Sequence, residues 1–220
     1  MHRESNIRKL NPQQPDSEII LEAARIIHRG GVVVFPTTGL YGLAADAGNR
    51  KAVERVFSVK KRPSAKPLLI LIPDRLNLRN VVSHIPEVAE RLMDAFWPGG
   101  LTLIFHAHSS VLPELTAGTG KIGVRLPAHP VSRLLVAAVG RPITATSANI
   151  YSHGGCSCID HLESAVADAV DMVLDAGLLE GGTGSSVLDV TRTPPVLLRE
   201  GAVSRVRIAA ISGGLVMEVS

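Results

Sequence analysis

The chain has 220 residues, of which 45% are hydrophobic and 20% charged, and its 23 basic and 20 acidic side chains give a formal net charge of +3. This length suits one good-sized core better than two independent domains, and the apolar content excludes a disordered chain. A net charge so close to neutrality gives no support by itself to a nucleic-acid-binding protein.

Hydrophobic periodicity and capping residues predict helices and strands that interleave along the chain. The predicted helices begin at Asp16 or Ser17, Asn49, Pro86, Pro130 and Asp160; Gly30 and Gly140 end the first and fourth, and the last ends at Ala169. The predicted strands are Val32–Phe35, Leu68–Ile72, Leu101–Phe105, Ile122–Leu126, Ile143–Thr146, Met172–Leu174, Val187–Val190 and Val196–Leu198. Because the two types interleave without strict alternation, the pattern favours an α/β domain on a twisted mixed sheet with flanking helices.

The pattern continues without a repeat or a linker. We therefore expect one domain over residues 11–203, followed by a short, loose C-terminal tail at 204–220. Two cysteines, Cys156 and Cys158, are too few and too close for a disulfide framework, which indicates a reducing environment. Residues 1–20 lack the apolar segment of a signal peptide, and no apolar run approaches the roughly 20 residues of a membrane span. The expectation is a soluble, cytoplasmic protein with no membrane partner.

Two motifs lack the context that their chemistry requires. Gly118–Gly123 matches the dinucleotide pattern G-x-G-x-x-G, yet the residues after it predict a strand and not the helix whose N-terminus binds pyrophosphate. A turn into a strand is the favoured interpretation. His153, Cys156, Cys158 and His161 could bind zinc, but C-x-C flanked by single histidines is not a usual zinc spacing. A polar loop that holds two thiols is the alternative, and no metal ligand is assigned.

Polar residues after predicted strands suit a small-molecule site. Thr37 and Thr38 follow Val32–Phe35 beside glycines that let a ligand approach the backbone. Ser147 and Asn149, two residues apart after another strand, offer a hydroxyl and an amide to one ligand. For the first segment, an ordinary turn between strand and loop is an equal alternative.

Basic residues add the chemistry of anion recognition. Pro63 favours an extended backbone at Arg62, and if Lys60 shares it the two side chains point the same way. A lysine beside a bidentate arginine makes a suitable polyphosphate clamp, although a solvated basic loop is the alternative. Arg125 lies inside an apolar strand, where burial is costly without an anionic partner. A substrate carboxylate or a structural aspartate would serve.

Seven segments, in chain order, carry a resemblance to a known family: Pro36–Leu43, Lys60–Pro67, Trp97–Leu103, Gly123–Pro127, Ser147–Asn149, Ser185–Leu188 and Leu198–Gly201. Together they resemble the YrdC-like family of L-threonylcarbamoyladenylate synthases, from about Asn11 to Val203. The pairing of K-x-R at 60–62 with S-x-N at 147–149 is the most specific part of the resemblance.

The resemblance implies an open α/β fold whose curved sheet lines a large basic cavity. It also implies that L-threonine, bicarbonate or CO2, and ATP give threonylcarbamoyl-AMP and pyrophosphate. This product feeds the t6A modification of adenosine 37 in tRNA, which a separate threonylcarbamoyl transferase completes. Magnesium is expected with the phosphates of ATP.

The same resemblance assigns roles on the ATP side of the site. Four residues match the catalytic tetrad around the nucleotide and its phosphates: Lys60, Arg62, Ser147 and Asn149. Lys66 and Arg199 match further ATP-binding positions.

On the amino-acid side, the resemblance gives Arg125 as the partner of the threonine carboxylate and Ser185 as a second contact. Two positions depart from the family. Gly39 stands where a threonine that contacts the amino acid is usual, and Leu71 stands where a histidine is common. Thr37 and Thr38 are the hydroxyls that remain there, so they complete the expected threonine-binding set.

A second function class stays open: a diverged, non-catalytic paralogue that binds nucleotide and tRNA or double-stranded RNA. Charge distribution suits either function. Residues 50–66 hold seven basic side chains and one acid, whereas residues 160–180 hold six acids and no lysine or arginine. Basic and acidic segments separated in this way would attract the phosphates of ATP or RNA to one side of the protein. The small net charge of the whole chain conceals this separation.

Overall fold

Two mixed β-sheets covered by helices carry the buried core. The computed structural model describes residues 6–214 and 217–218. The predicted α/β class is confirmed, although the strands form two sheets where one was expected. Within the described residues, no helix has both the length and the apolar content needed to cross a bilayer.

Seven α-helices are present in the described part of the chain: α1 (Ser17–His28), α2 (Arg50–Lys60), α3 (Glu87–Phe96), α4 (Pro113–Thr116), α5 (Pro130–Val139), α6 (Ser164–Ala167) and α7 (Arg205–Ser212). Short 3₁₀ helices cover Arg75–Asn80 and Ile159–His161. The strands are β1 (Ile7–Lys9), β2 (Val33–Pro36), β3 (Tyr41–Ala44), β4 (Ile70–Leu71), β5 (Leu101–His106), β6 (Lys121–Arg125), β7 (Ile143–Thr144), β8 (Thr146–Ser147), β9 (Met172–Asp175), β10 (Ser186–Asp189), β11 (Val196–Arg199) and β12 (Met217–Glu218).

The first sheet has the order β1-β9-β2-β3-β8, and the second has the order β12-β11-β10-β5-β6-β4-β7. In the first, β1, β9 and β2 are parallel while β3 runs antiparallel to both of its neighbours. In the second, parallel and antiparallel pairs alternate across the sheet. The predicted strand Ile143–Thr146 is divided at Ala145 into β7 and β8, which belong to different sheets. The chain therefore crosses between the sheets just before Ser147.

Helix ends follow the capping residues read from the sequence. The carboxylate of Asp16 accepts a hydrogen bond from Glu18 N at 2.8 Å and begins α1, and the Asn49 side chain accepts one from Ala52 N at 3.3 Å and begins α2. Gly140, at a φ of 68°, ends α5. These predicted boundaries are confirmed because caps are local features of the chain.

The predicted helix Asp160–Ala169 is wrong. Only the 3₁₀ turn at Ile159–His161 and the single turn of α6 form there, and the backbone of Glu163 between them is extended (φ −57°, ψ 130°). The Glu163 carboxylate accepts a hydrogen bond from Ile150 N at 2.9 Å and lies 3.0 Å from His153 Nδ1. These tertiary contacts hold a loop and override the helical pattern.

Strand β3 lies in the segment that was interpreted as a possible turn, where it pairs with β2 and β8. The expected domain limits of 11 and 203 stay a prediction. Strand β1 pairs with β9 outside the first limit, and α7 lies outside the second with its Ile208 buried.

Tyr41 fixes the segment that follows β9 against β3. Its side chain is fully buried, and its hydroxyl donates to Gly177 O at 2.7 Å while it accepts from Ala176 N at 3.0 Å. Burial raises the pKa of this phenol well above its ordinary value. The hydroxyl therefore stays neutral and serves as a donor and an acceptor at once.

Replacing Tyr41 with Phe should lower the free energy of unfolding by about 1–3 kcal/mol, because the buried N–H of Ala176 loses its acceptor and Gly177 O loses its donor. Urea denaturation measures this difference. The same substitution at Tyr151, whose hydroxyl makes no hydrogen bond within the described residues, should cost less than about 0.5 kcal/mol. Equal losses in the two variants would contradict the anchoring role of Tyr41.

Candidate active site

A cavity of about 320 Å³ is lined by residues of both sheets. Three arginines contribute to its wall, Arg62, Arg125 and Arg199, and the residues that line it include no aspartate or glutamate. Such a wall favours anionic ligands. The volume lies near the lower end of the usual range for small-molecule sites, so the large basic cavity implied by the resemblance stays a prediction.

Lys60 is the last residue of α2, and its side chain is 1% exposed. Its Nζ donates to three oxygens of one short segment: Ser147 O, Asn149 O at 2.8 Å and Asn149 Oδ1 at 3.0 Å. All three donors of the ammonium group are thereby satisfied. The extended backbone assumed for Lys60 is wrong, because Lys60 is helical and Lys61 is left-handed at a φ of 48°. Lys60 therefore binds the segment at 147–149 and is not among the residues that line the cavity.

The Asn149 side chain, in a residue that is 5% exposed, is fully engaged within the chain. Its Oδ1 accepts from Lys60 Nζ and from the Ser147 hydroxyl. Its Nδ2 donates to Ile150 O at 2.8 Å and to His153 O. Both donors and both acceptor positions of the amide are used, so Asn149 links Lys60 to the following loop while Ser147 lines the cavity.

Arg62 is half-buried and lines the cavity. Its Nε donates to Lys66 O at 3.3 Å and its Nη2 donates to Pro67 O at 2.9 Å. The guanidinium carbon lies 5.3 Å from the centre of the Tyr151 ring. The Lys66 side chain is exposed and is not among the residues that line the cavity. In this structure Lys66 contributes to the site through its carbonyl oxygen, which accepts the hydrogen bond from Arg62 Nε.

Arg125 ends strand β6 on the cavity wall. Its Nε is buried without a hydrogen-bond partner, and no carboxylate within the described residues forms an ion pair with it. Burial, and secondly the nearby charge of Arg199, lower the pKa of Arg125 to about 10. The structural aspartate that was one possible partner is absent from the described part of the chain, so the charge of Arg125 is available to an anion in the cavity.

Arg199 is held by the segment that precedes β10. Its Nε and Nη2 donate to Ser185 O at 3.0 and 2.8 Å. The Ser185 hydroxyl is 2.8 Å from Thr102 Oγ1 in the second sheet. Ser185 and Arg199 both line the cavity, so this contact places a hydroxyl and a cation on the same side as Arg125.

The expected threonine-binding residues do not all line the same cavity. Thr37 lines the cavity with Arg125 and Ser185, whereas Thr38 is exposed and lines a different cavity. Leu71, where the family often has a histidine, is fully buried in β4. A Cβ atom at Gly39 would lie only 2.4 Å from Gly181 O, so the backbone of a neighbouring turn takes the place of a side chain.

Sequence reasoning missed two residues that hold the site. Tyr151 contacts Arg62 through its ring, and Glu163 anchors the loop after Asn149, 13 residues away in sequence. No local pattern marks either residue. Among the described residues, no group of three or more His, Cys, Asp or Glu side chains is placed to hold a metal ion. Cys156 is buried, which raises the pKa of its thiol.

The fold and the site together define an α/β domain with an arginine-lined cavity between its two sheets. The family model Sua5_yciO_yrdC, described as "Telomere recombination", matches residues 25–201, and the chain belongs to this family.

Relatives extend over most of the chain. A threonylcarbamoyl-AMP synthase of Pyrococcus abyssi is 38% identical over 87% of this chain and 56% of its own length. One of Bacillus subtilis is 36% identical over 88% of this chain and 56% of its own length. A crystal structure of P. abyssi Sua5 complexed with L-threonine is similar at a TM-score of 0.90 and 35% identity, covering 96% of this chain and 62% of the other. The chain thus spans about half the length of these two curated relatives.

Lys60 should titrate far below the ordinary range of lysine. Burial, assisted by the charge of Arg62, lowers its pKa from 10.5 to about 8. The sequence has six lysines. In an NMR titration of protein labelled at lysine ¹³Cε, one resonance should titrate with a midpoint near 8, and this resonance should be absent from Lys60→Met.

The same shift fixes the sign of a stability effect. The folded state releases the Lys60 proton at a lower pH than the unfolded state does. The free energy of unfolding of the wild type relative to Lys60→Met should therefore rise between pH 8 and 10.5, by about 1–3 kcal/mol. A difference that falls over this interval would contradict the assignment.

Proposed function

We propose that this protein makes threonylcarbamoyl-AMP and pyrophosphate from L-threonine, bicarbonate or CO2, and ATP. The observation that carries the proposal is the Arg125 guanidinium, which lines the cavity, has a buried Nε without a hydrogen-bond partner and forms no ion pair with a carboxylate among the described residues. An amino-acid carboxylate supplies the missing anion. The names of the relatives support the choice of reaction, and the threonine in the P. abyssi Sua5 complex supports the choice of amino acid.

On the ATP side, the proposal gives Arg62 and Arg199 the role of neutralising phosphate charge. Both line the cavity and both are oriented by backbone carbonyls. Ser147 contributes a hydroxyl to the same wall. Lys60 and Asn149 act beneath this wall by holding Ser147 in place, and Lys66 contributes a cation at the rim when the nucleotide enters.

On the amino-acid side, Arg125 pairs with the carboxylate of threonine. Ser185 and Thr37 line the same cavity. The Thr37 hydroxyl donates to Leu40 O at 2.6 Å, so its oxygen serves as an acceptor for the amine or for the threonine side chain, and the Ser185 hydroxyl lies in the same lining. Thr38 lines a different cavity and takes part only if the turn that carries it rearranges.

The reaction requires no nucleophile from the protein. The threonine amine adds to CO2 and releases a proton, which gives a carbamate. A carbamate oxygen forms a bond to the α-phosphorus of ATP while the bond from that phosphorus to the leaving pyrophosphate breaks. Positioning of the two substrates and neutralisation of phosphate charge are the contributions required of the site.

Magnesium enters this proposal as the counter-ion of ATP. The cavity lining includes no carboxylate, which is the usual protein ligand of this ion. The described residues that line the cavity thus provide no dedicated magnesium site, and no step is assigned to one.

The product would supply a threonylcarbamoyl transferase that modifies adenosine 37 of tRNA, and a cytoplasmic location belongs to the same proposal. Direct binding of tRNA or double-stranded RNA is not part of it. No contact among the described residues favours the alternative of a non-catalytic paralogue.

Purified protein should release pyrophosphate from ATP only when both threonine and bicarbonate are present. A coupled pyrophosphate assay with each component omitted in turn measures this requirement, and a panel of amino acids tests the choice of threonine. The same rate of release without threonine, or without bicarbonate, would refute the synthase assignment.

Replacing Arg125 with Gln should raise the KM for threonine by about 10- to 100-fold, because a charged hydrogen bond to the carboxylate is lost. The KM for ATP should change by less than about twofold. Arg91→Gln is the matched control, since Arg91 pairs with Glu87 on an exposed face of α3 and should leave both constants unchanged. An Arg125→Gln enzyme with the threonine KM of the wild type would exclude Arg125 as the carboxylate partner.

A further inference from the structure

The guanidinium group of Arg62 is held on three sides. Backbone carbonyls of Lys66 and Pro67 accept from Nε and Nη2, and the ring of Tyr151 lies 5.3 Å from the guanidinium carbon. Within the described residues, Nη1 makes no hydrogen bond and no carboxylate pairs with Arg62. No acid among the described residues neutralises the charge of Arg62, and its Nη1 remains available to donate hydrogen bonds to a ligand in the cavity.

Tyr151 is itself fixed by the backbone around it. Its N–H donates to Lys60 O at 2.7 Å, which joins the loop to the end of α2. Ile150 N donates to the Glu163 carboxylate at 2.9 Å, and the following residue, Ser152, turns the chain with a positive φ of 70°. The Tyr151 hydroxyl has no hydrogen-bond partner in the described chain. These contacts direct the ring, and not the hydroxyl, against Arg62.

An aromatic face solves a specific problem for an arginine that must bind phosphate. A half-buried guanidinium needs a favourable electrostatic partner, and a carboxylate is the usual one. A carboxylate would cancel the charge and compete with the phosphate for the same donors. The negative face of an aromatic ring stabilises the cation without accepting its N–H groups.

We infer that Tyr151 is a positioning residue for the ATP site, whose ring holds Arg62 in the orientation that meets the phosphates. The inference rests on the proposed function, because it takes the anion at Arg62 to be the phosphate of ATP. Tyr151 acts through Arg62 and contributes to ATP affinity before any chemical step.

Direct binding of ATP tests this role separately from catalysis. Replacing Tyr151 with Leu should weaken ATP binding, measured by isothermal titration calorimetry, by about fivefold, while Tyr151→Phe should stay within about twofold of the wild type. The KM for ATP should rise in parallel, and the KM for threonine should stay unchanged. If the wild type binds ATP but releases no pyrophosphate, the proposed function fails while the affinities still test Tyr151.

The chain offers a matched control. Arg207 lies over the ring of Phe96 at the same 5.3 Å, on residues outside the cavity lining. Arg207→Gln removes this second contact between an arginine and a ring, and it should leave the affinity for ATP unchanged. A loss as large as that of Tyr151→Leu would show that such contacts act only through general stability, and would overturn the inference.

A double-mutant cycle tests whether Tyr151 affects ATP affinity through Arg62. In an Arg62→Gln background, which removes the cation, Tyr151→Leu should add less than about twofold to the loss of ATP affinity, because the two residues act as one unit. Full additivity, an unchanged affinity in Tyr151→Leu, or an equal loss in Tyr151→Phe would each overturn the inference. If Tyr151→Leu does not fold by circular dichroism, Tyr151→Met is measured as the second variant without a ring, against the same expectations.

Discussion

The buried ammonium group of Lys60 is the interaction on which the site depends. Removing a cation from water is costly, and the three oxygens at 147–149 supply the acceptors that the group requires. The same contact joins the end of α2, which leads directly to Arg62, to the point where the chain has just crossed from the second sheet to the first. One satisfied charge thus fixes two segments that face the cavity from different parts of the fold.

The three arginines that line the cavity keep their positive charge available. Arg199 is oriented by a backbone carbonyl, Arg62 by two carbonyls and an aromatic ring, and Arg125 has an Nε with no partner within the described residues. Elsewhere in the described chain, arginines do pair with acids, for example Arg75 with Glu90 on the surface and Arg141 with the buried Asp46. Neutral groups therefore orient Arg62 and Arg199, and none of the three arginines forms an ion pair with a carboxylate among the described residues, so their charge is available to an anion in the cavity.

Local signals in the sequence predicted local structure, and contacts between distant segments account for the errors. Asp16 and Asn49 begin helices because a capping side chain bonds to its own next turn. The division of Ile143–Thr146 into two sheets has no local signal, because no glycine, proline or other turn residue at Ala145 interrupts the sequence pattern of a strand. Glu163 looked helical, yet its carboxylate holds Ile150 N. The spacing of K-x-R and S-x-N indicated proximity, but the helical backbone of Lys60 depended on where α2 ends.

Gly39 shows how one departure from the family pattern can follow from the path of the backbone. Gly181 N donates to Gly39 O at 2.9 Å, and a Cβ atom at position 39 would lie 2.4 Å from Gly181 O. A threonine at position 39 would therefore require the turn at 181–184 to move, and that turn brings Thr183 to the cavity wall. The absence of a side chain at position 39 and the position of the turn at 181–184 therefore depend on each other. The hydroxyls on this side of the cavity come from neighbouring positions because backbone occupies the space of a side chain at 39.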